Sequence, residues 1–304
     1  MCSFYHVSNF IKKIQMFSIR LLDYLKERFP LVNMMLFAIV HLAVYSTAVQ
    51  HLSFDLLFLL GILATISFFF RLRVMDEIKD FDVDAVNHPG RVLQSGGVSL
   101  RFLIGLSVLL TVSEFAWSFF HGWVTVLSWL VAIGYAILMR YEFFVGEWLK
   151  QRLVLYAFSH MVIMPLVVAW LWFAYHSDIT PVLAILMLLS FLGGFVFELA
   201  RKTHSPDAER PEIETYSSLL GYGKAVWLIQ GVLWLSMLCQ VFLFLQLEMP
   251  WWTYFIALLS AFWVTWRYRL AVANKEETLF RKAELATSGY MLLSYLVLII
   301  AKAL

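Results

Sequence analysis

The sequence predicts an all-α integral membrane protein, in which nine transmembrane helices follow an amphipathic N-terminal helix. Hydrophobic residues make up 62% of the 304 residues and charged residues only 14%, against ~45–50% and ~25% in ordinary soluble chains. Mean hydropathy is +0.78. Because so few charges cannot cover the surface of a water-soluble protein of this length, the chain is predicted to sit in a lipid bilayer.

Residues 1–30 form a basic leader with apolar residues at helical spacing. The apolar positions are Phe10, Ile14, Phe17, Leu21 and Leu25, and lysines and arginines lie between and beyond them. This pattern predicts an amphipathic helix on the membrane surface. A loosely ordered basic leader is the alternative.

Residues 31–304 form one predicted membrane domain. A spanning helix needs ~20 mainly apolar residues. The segments that meet this requirement are 31–50, 53–70, 99–118, 123–139, 153–175, 180–197, 224–246, 251–267 and 284–303.

The distribution of basic residues predicts the orientation of these spans. Of the 23 lysines and arginines, all but Lys302 fall in the leader, the long polar connections or the helix edges beside them. Positive residues favour the cytoplasmic side. The N-terminus and the long connections are therefore predicted to be cytoplasmic, and the C-terminus to lie outside.

Several classes of protein have no support in the sequence. A net charge of +2 does not indicate a nucleic-acid partner. Cys2 and Cys239 lie far apart and form no metal-binding spacing. The chain also has no nucleotide-binding P-loop, nucleophile elbow, HExxH motif or dinucleotide fingerprint.

An acidic run follows the second span. Its members are Asp76, Glu77, Asp80, Asp82 and Asp84. On a helix, Asp76, Asp80 and Asp84 share one face, and oxygen-only ligands suit Mg²⁺. The alternative is an acidic run that only faces water.

A second charged stretch follows the sixth span. It mixes acids and bases: Glu198, Arg201, Lys202, Asp207, Glu209, Arg210, Glu212 and Glu214. The ordinary interpretation of such a stretch is a surface loop whose acids and bases form salt bridges with each other. Because both acidic regions are predicted on the same side of the membrane, they are also candidates to hold two Mg²⁺ ions and a diphosphate between them.

Other polar residues are candidates for the same chemistry. Arginine and lysine donate to phosphate oxygens, and the candidates near the first acidic run are Arg73, Lys79, Arg91, Arg140, Lys150 and Arg152. Their alternative role is only to set the topology. Glu114 and His160 fall inside predicted spans, where ionisable groups are either functional or buried hydrogen-bonding partners.

These residues resemble the UbiA-type superfamily of intramembrane prenyltransferases. The first family motif, Asn-Asp-x-x-Asp-x-x-x-Asp, is matched by the stretch DEIKDFDVD, in which Asp76 takes the place of the asparagine. Glu77, Asp80 and Asp84 take the places of the three family acids. Arg91 matches the arginine of the downstream Arg-Pro-Leu, and Tyr141 and Lys150 match a tyrosine and a lysine of the third long loop.

The second family motif, Asp-x-x-x-Asp, is matched less well. Glu209 aligns with its last acid, whereas Ser205 stands where the first acid is expected, and Asp207 and Glu198 are the candidate substitutes. The pattern Glu198-x-x-Arg201-Lys202 is similar to that of a divergent bacterial branch, which adds Arg201 and Lys202 to the predicted diphosphate contacts.

The resemblance implies a fold and an activity. The expected fold is nine transmembrane helices around a central cavity, in a bacterial cell membrane. The expected reaction is Mg²⁺-dependent transfer of a prenyl group from a prenyl diphosphate to an aromatic or other lipophilic acceptor. A membrane terpene cyclase that needs no acceptor is the first alternative, and a transporter or lipid-binding protein is the second.

Overall fold

The structure is a computed structural model that describes residues 18–209 and 214–304. The described residues contain helices and connections and no strand, which confirms the predicted all-α class. Residues 1–17 of the predicted amphipathic leader, and Arg210 and Glu212 of the second acidic stretch, lie outside the described residues. The described part of the leader is helical over residues 18–28, here named α1.

Nine helices or helix pairs in the described part are long and apolar enough to cross a membrane. They are α2 Leu31–Ala48, α3 Leu56–Asn87, α4 Leu100–His121, α5 Trp123–Arg140, the pair α7 Leu153–Met161 and α8 Ile163–Tyr175, α9 Pro181–Arg201, α11 Tyr222–Gln246, α12 Trp251–Asn274 and α13 Glu277–Ala303. The short helices α6 Gly146–Lys150 and α10 Tyr216–Leu220, and 3₁₀ turns at Glu142–Phe144 and Pro206–Ala208, lie in the connections.

The predicted spans are confirmed, but several helices continue past the apolar segment that predicted them. The largest extension is in α3, which runs to Asn87 instead of ending near residue 70. Its 32 residues reach ~48 Å at ~1.5 Å per residue, well beyond the ~30 Å hydrocarbon core. The extension ends just before Pro89 and Gly90, the first helix-breaking residues after the apolar segment.

The chain divides into two compact units. Unit 1 comprises the described residues up to Ala38 together with Phe54–Phe120. Its helices meet through aromatic contacts: the rings of Phe37 and Phe69 stack 3.7 Å apart, and Phe29 meets the edge of Phe70 at 5.5 Å. The residues Phe68, Phe69 and Phe70 are therefore buried packing residues.

Unit 2 comprises Ile39–Ser53 and His121–Leu304. Within it, α9 packs against α8, α11 and α13, and α12 packs against α11 and α13. Polar contacts join these helices at depth, as where the Ser294 hydroxyl of α13 donates to the Gln240 side chain of α11 at 3.1 Å. Such contacts satisfy polar groups that the bilayer cannot hydrate.

Candidate functional site

The first acidic run lies on the polar extension of α3. Asp76 and Asp80 lie one helical turn apart on one face and are exposed; Asp84 continues that face and is half-buried. Asp82 is exposed on another face. Glu77 is different, because it is only 1% exposed. The predicted shared face of Asp76, Asp80 and Asp84 is therefore present.

Arginines alternate with these carboxylates. Arg73 lies 3.8 Å from Asp76 and 2.8 Å from Glu77. Arg28 Nε lies 2.6 Å from Glu77 Oε1, its terminal nitrogen lies 3.6 Å from Asp84, and Arg91 also pairs with Asp84. We call this series the charge ladder, and it consists of Asp76, Arg73, Glu77, Arg28, Asp84 and Arg91.

Helix α1 supplies part of this site, which no pattern in the sequence predicts. Arg28 and Tyr24, one turn apart on α1, both face α3. Tyr24 is fully buried and its hydroxyl has no partner among the described residues; Glu77 Oε2 also has none. Burial, followed by the negative charge of Glu77, raises the pKa of Tyr24. In the sequence, the i,i+4 spacing of Tyr24 and Arg28 predicts that they share one face of a helix, but it does not indicate which helix that face contacts.

The turn that carries Arg91 is also fixed by α1. The backbone N–H of Val92 donates to Glu27 Oε2 at 3.0 Å. Gly97 folds back on Val92 so closely that an added Cβ would lie 2.9 Å from its carbonyl oxygen. Glycine is required there, and the turn holds Arg91 against Asp84.

The donor chemistry of the α3 extension fits Mg²⁺, although no complete ligand cage is formed. The described residues contain no group of three His, Cys, Asp or Glu side chains close enough to enclose a metal ion. Mg²⁺ commonly binds through one or two carboxylates plus phosphate oxygens and water. The exposed pair Asp76 and Asp80 matches that need.

The second acidic region starts where α9 ends. Glu198 is paired with Arg201 at 2.7 Å and with Lys202 at 3.0 Å, and the Lys202 ammonium lies 5.9 Å from the Tyr156 ring centroid. These pairs are salt bridges of the kind expected if the stretch is a surface loop. Arg201 and Lys202 are thus engaged with Glu198.

The remaining acids of the second region differ in environment. Asp207 is exposed in the 3₁₀ turn, and Glu214 is exposed beyond the undescribed residues. Glu209 Oε2 accepts a hydrogen bond from the Thr215 hydroxyl at 2.7 Å, while its buried Oε1 has no partner among the described residues. That these acids share a diphosphate with the acids of α3 stays a prediction.

A clamp that the sequence analysis missed fixes this region to α13. Glu277 accepts hydrogen bonds from the Ser205 backbone at 2.8 Å and from His204 Nδ1 at 2.9 Å. Arg281, one turn on, pairs with Glu277 at 2.8 Å and donates to the Thr203 carbonyl at 2.7 Å. The segment from Thr203 to Ser205 is held by side chains 72 or more residues away, a pairing that no local pattern reveals.

The third predicted region contains strained backbone. Glu142, Phe143 and Phe144 have φ of 48°, 55° and 59°, a conformation that costs ~1–2 kcal/mol for a residue with a Cβ. Lys150 lies 3.3 Å from Glu142 and 3.2 Å from Glu147. These contacts, with the Glu147 hydrogen bond foremost, raise the pKa of Lys150.

The other predicted candidates of this region make local contacts. Tyr141 is exposed and stacks on Phe144 at 5.6 Å. Arg140 lies over the Tyr141 ring, and Arg152 lies over the Trp148 ring at 4.2 Å. Lys79 is exposed on the extension of α3.

The two ionisable residues within spans make structural contacts. Glu114 is fully buried and pairs with Arg71 at 2.5 Å, while the Ser67 hydroxyl donates to it at 2.7 Å. His160 Nδ1 lies 2.8 Å from the Tyr156 carbonyl oxygen, and the two rings stack at 4.0 Å. These contacts support a structural hydrogen-bonding role for both residues, buried for Glu114 and half-buried for His160.

Unit 1 also holds an apolar cavity of about 580 Å³. One wall is formed by α1 and the residue after it, through Leu21, Leu25 and Phe29. The other walls are formed by α3, from Leu57 to Phe70, and by α4, from Leu106 to Phe120. Phe29 directly follows Arg28, so the cavity lies beside the charge ladder.

Several solved structures share this fold. A structure of digeranylgeranylglyceryl phosphate synthase covers 93% of this chain and 98% of its own, with a TM-score of 0.69 at 16% identity. A UbiA homologue from Aeropyrum pernix K1 covers 87% and 96%, with a TM-score of 0.64 at 16% identity. A UbiA homologue from Archaeoglobus fulgidus, bound to GPP and Mg²⁺, covers 91% and 99%, with a TM-score of 0.59 at 13% identity.

Comparison of sequences gives the family. No curated protein matches this chain significantly. The model of the UbiA prenyltransferase family matches residues 34–294, which include every helix from α3 to α12 and most of α2 and α13. The chain therefore belongs to the UbiA prenyltransferase family.

Proposed function

We propose that this protein is a Mg²⁺-dependent intramembrane prenyltransferase that transfers a prenyl group from a prenyl diphosphate to a lipophilic acceptor. The observation that carries the proposal is the exposed carboxylate pair Asp76 and Asp80, of which Asp76 also belongs to the charge ladder. Two UbiA homologue structures from Archaeoglobus fulgidus, one with GPP and Mg²⁺ and one with DMAPP and Mg²⁺, support the same ligand class.

Residues of α3 and of the turn that follows it would together bind the metal and the diphosphate. Asp76 and Asp80, with Asp84 on the same face, would hold the metal, which when bound neutralises charge on the departing diphosphate. Arg73 and Arg91 provide planar guanidinium donors for phosphate oxygens. Lys79, exposed on the same helix, adds a further positive charge. Fixed charges aimed at the leaving group stabilise it as the bond from carbon to oxygen breaks.

The apolar cavity of unit 1 is the proposed binding place of the prenyl chain. Its volume lies within the ~300–1,000 Å³ typical of ligand sites, and its walls are almost entirely apolar. Apolar walls of this kind, inside the bilayer, would keep water away from the allylic cation and so protect it from hydrolysis. The acceptor is then an apolar molecule that can reach the same water-poor space.

The test is to incubate the purified protein with Mg²⁺ and prenyl diphosphates of increasing length, with and without aromatic and lipid acceptors. We expect diphosphate release that requires Mg²⁺ and an acceptor, with a prenylated product in the organic phase. Full release without acceptor, together with a hydrocarbon or alcohol product, would identify a terpene cyclase. Absence of release with every substrate would refute both activities.

We also propose that the N-terminus and the connections with Arg91 and Asp207 face the cytoplasm, in the inner membrane of a bacterial cell. Single cysteines in the turn after α3 and in the segment after α9 should then react with an impermeant thiol reagent only in inverted vesicles. A cysteine between α4 and α5 is the control and should react only in intact cells. Reaction of the first two in intact cells would overturn the topology.

A further inference from the structure

Helix α1 lies before the part of the chain that the family model matches, which begins at residue 34, yet it contributes a side chain to the centre of the charge ladder. Arg28 contacts both Glu77, at 2.6 Å, and Asp84, at 3.6 Å. These two acids lie two helical turns apart on α3, so a single guanidinium from α1 bridges them. The side chain of Arg28 is 17% exposed, which leaves part of it accessible.

Glu77 holds this arginine in place. Its Oε1 receives both Arg28 Nε, at 2.6 Å, and Arg73, at 2.8 and 3.0 Å. The Glu77 side chain is fully buried, whereas that of Asp84 is 13% exposed. A fully buried carboxylate that already neutralises two guanidinium groups is a poor ligand for a hydrated cation, because the ion would have to shed its water and approach two positive charges. Glu77 stands where the family motif has its first aspartate, and its longer side chain is used here to reach the two arginines.

The terminal nitrogens of Arg28 are less firmly held than its Nε. The 3.6 Å separation from Asp84 is longer than a charge-assisted hydrogen bond of ~2.7–2.9 Å. An arginine has five donors in a fork that matches phosphate oxygens. Arg28 can therefore keep its Nε bond to Glu77 while its terminal nitrogens donate to a phosphate.

We propose that Arg28 binds the diphosphate of the prenyl substrate and that Glu77 is its positioning residue, so that α1 is part of the substrate site. The inference rests on the proposed function. It extends the site to a helix outside the family-matched segment and assigns Glu77 the role of counter-ion for Arg28 and Arg73.

The variants that test this are Arg28→Gln, Arg28→Lys and the double variant Arg28→Gln/Glu77→Gln, all in the full chain. Lys26→Gln is the matched control, because Lys26 is on the same helix with its side chain 79% exposed. Binding of geranyl thiolodiphosphate, a non-reactive analogue, is measured calorimetrically in Mg²⁺, alongside KM and kcat for the reactive substrate and thermal unfolding.

Arg28→Gln should weaken analogue binding about 10- to 100-fold, the loss expected for a hydrogen bond between charged groups. KM should rise by a similar factor with kcat much less affected, because the contact is made in the ground state as well. Arg28→Lys should recover part of the affinity, and Lys26→Gln should bind as the wild type does.

The double variant separates binding from folding. It removes both members of the Arg28–Glu77 pair and leaves no charged carboxylate buried beside the lost arginine, so it should fold even if Arg28→Gln alone does not, and it should bind as weakly as Arg28→Gln. Wild-type affinity in the double variant would show that Arg28 serves only the fold and would overturn the inference. If the wild type binds the analogue and Arg28→Gln binds equally well, the inference alone fails; if the wild type does not bind it, the proposed function fails as well.

Discussion

Removing one partner of the ion pair between Arg71 and Glu114 should destabilise the protein much more than replacing both partners with apolar residues. Arg71 lies 15 residues into α3, ~22 Å from the start of the helix at ~1.5 Å per residue. It is 4% exposed, and two of its nitrogens have no hydrogen-bond partner among the described residues. Removal of Glu114 would leave this guanidinium without its carboxylate at membrane depth.

The loss in free energy of unfolding can be estimated from the contacts that Arg71 keeps in the Glu114→Ala variant. Breaking a buried pair costs ~3–5 kcal/mol, and an unpaired arginine in a membrane helix ~2.5–3.5 kcal/mol. Arg71 would keep its 3.0 Å bond to Thr111 and its position over Phe68 at 4.6 Å, which places the loss near the lower end. We expect Glu114→Ala to lower the free energy of unfolding by about 3 kcal/mol, ~100-fold in the folded-to-unfolded ratio.

The assay is unfolding in mixed micelles by titration with a denaturing detergent, followed by tryptophan fluorescence. Ser113→Ala is the matched control, since Ser113 is the exposed neighbour on α4 and bonds only to its own helix; it should shift stability by less than ~0.5 kcal/mol. The double variant Arg71→Met/Glu114→Leu should be close to the wild type or more stable. A Glu114→Ala protein as stable as the control would show that the pair is not buried in the membrane-embedded protein.

Two further substitutions test the site. Asp80→Ala and Asp84→Ala should each reduce Mg²⁺-dependent turnover by at least ~100-fold, as loss of a group that stabilises developing charge does, while the proteins elute as folded species in detergent. Asp82→Ala, on another face of α3, should retain activity. Equal activity of Asp80→Ala, Asp84→Ala and Asp82→Ala would show that the acidic run only faces water and binds no metal. Gly146→Ala should lower the melting temperature, because its Cβ would lie 2.1 Å from Glu142 Oε2 and 3.2 Å from Glu142 Cβ, and the carboxylate would have to leave its 3.3 Å pair with Lys150; an unchanged melting temperature would show that Glu142 moves aside at no cost.

Much of the fold could be predicted because the bilayer imposes a simple requirement. A spanning helix has to be apolar for ~20 residues, so hydropathy finds each span whatever its neighbours are. The same rule marks only the part inside hydrocarbon, and it therefore ended the second span near residue 70 although α3 continues to Asn87. The absence of proline and glycine between Arg71 and Asn87 was the signal for the extension.

The site was predicted less completely because its contacts are not local. The spacing of Asp76, Asp80 and Asp84 predicted their common face, since that depends only on helix geometry. The pairing of Arg28 with Glu77 joins residues 49 positions apart, and nothing in either local pattern names the other. The left-handed residues from Glu142 to Phe144 were equally hidden, because residues with a Cβ seldom adopt that conformation.

Helix α3 runs without a break from the apolar cavity to the acidic run, so helix geometry sets the distances between them. One helix supplies a wall of the apolar cavity, from Leu57 to Phe70, and then the carboxylates from Asp76 onward. Because the helix rises ~1.5 Å per residue, each wall residue stands at a fixed distance from the point where the diphosphate is anchored. Leu63→Trp and Leu60→Trp should therefore each shorten the longest accepted prenyl chain, Leu63→Trp more than Leu60→Trp, with limits that differ by ~4.5 Å, the rise of three helical residues.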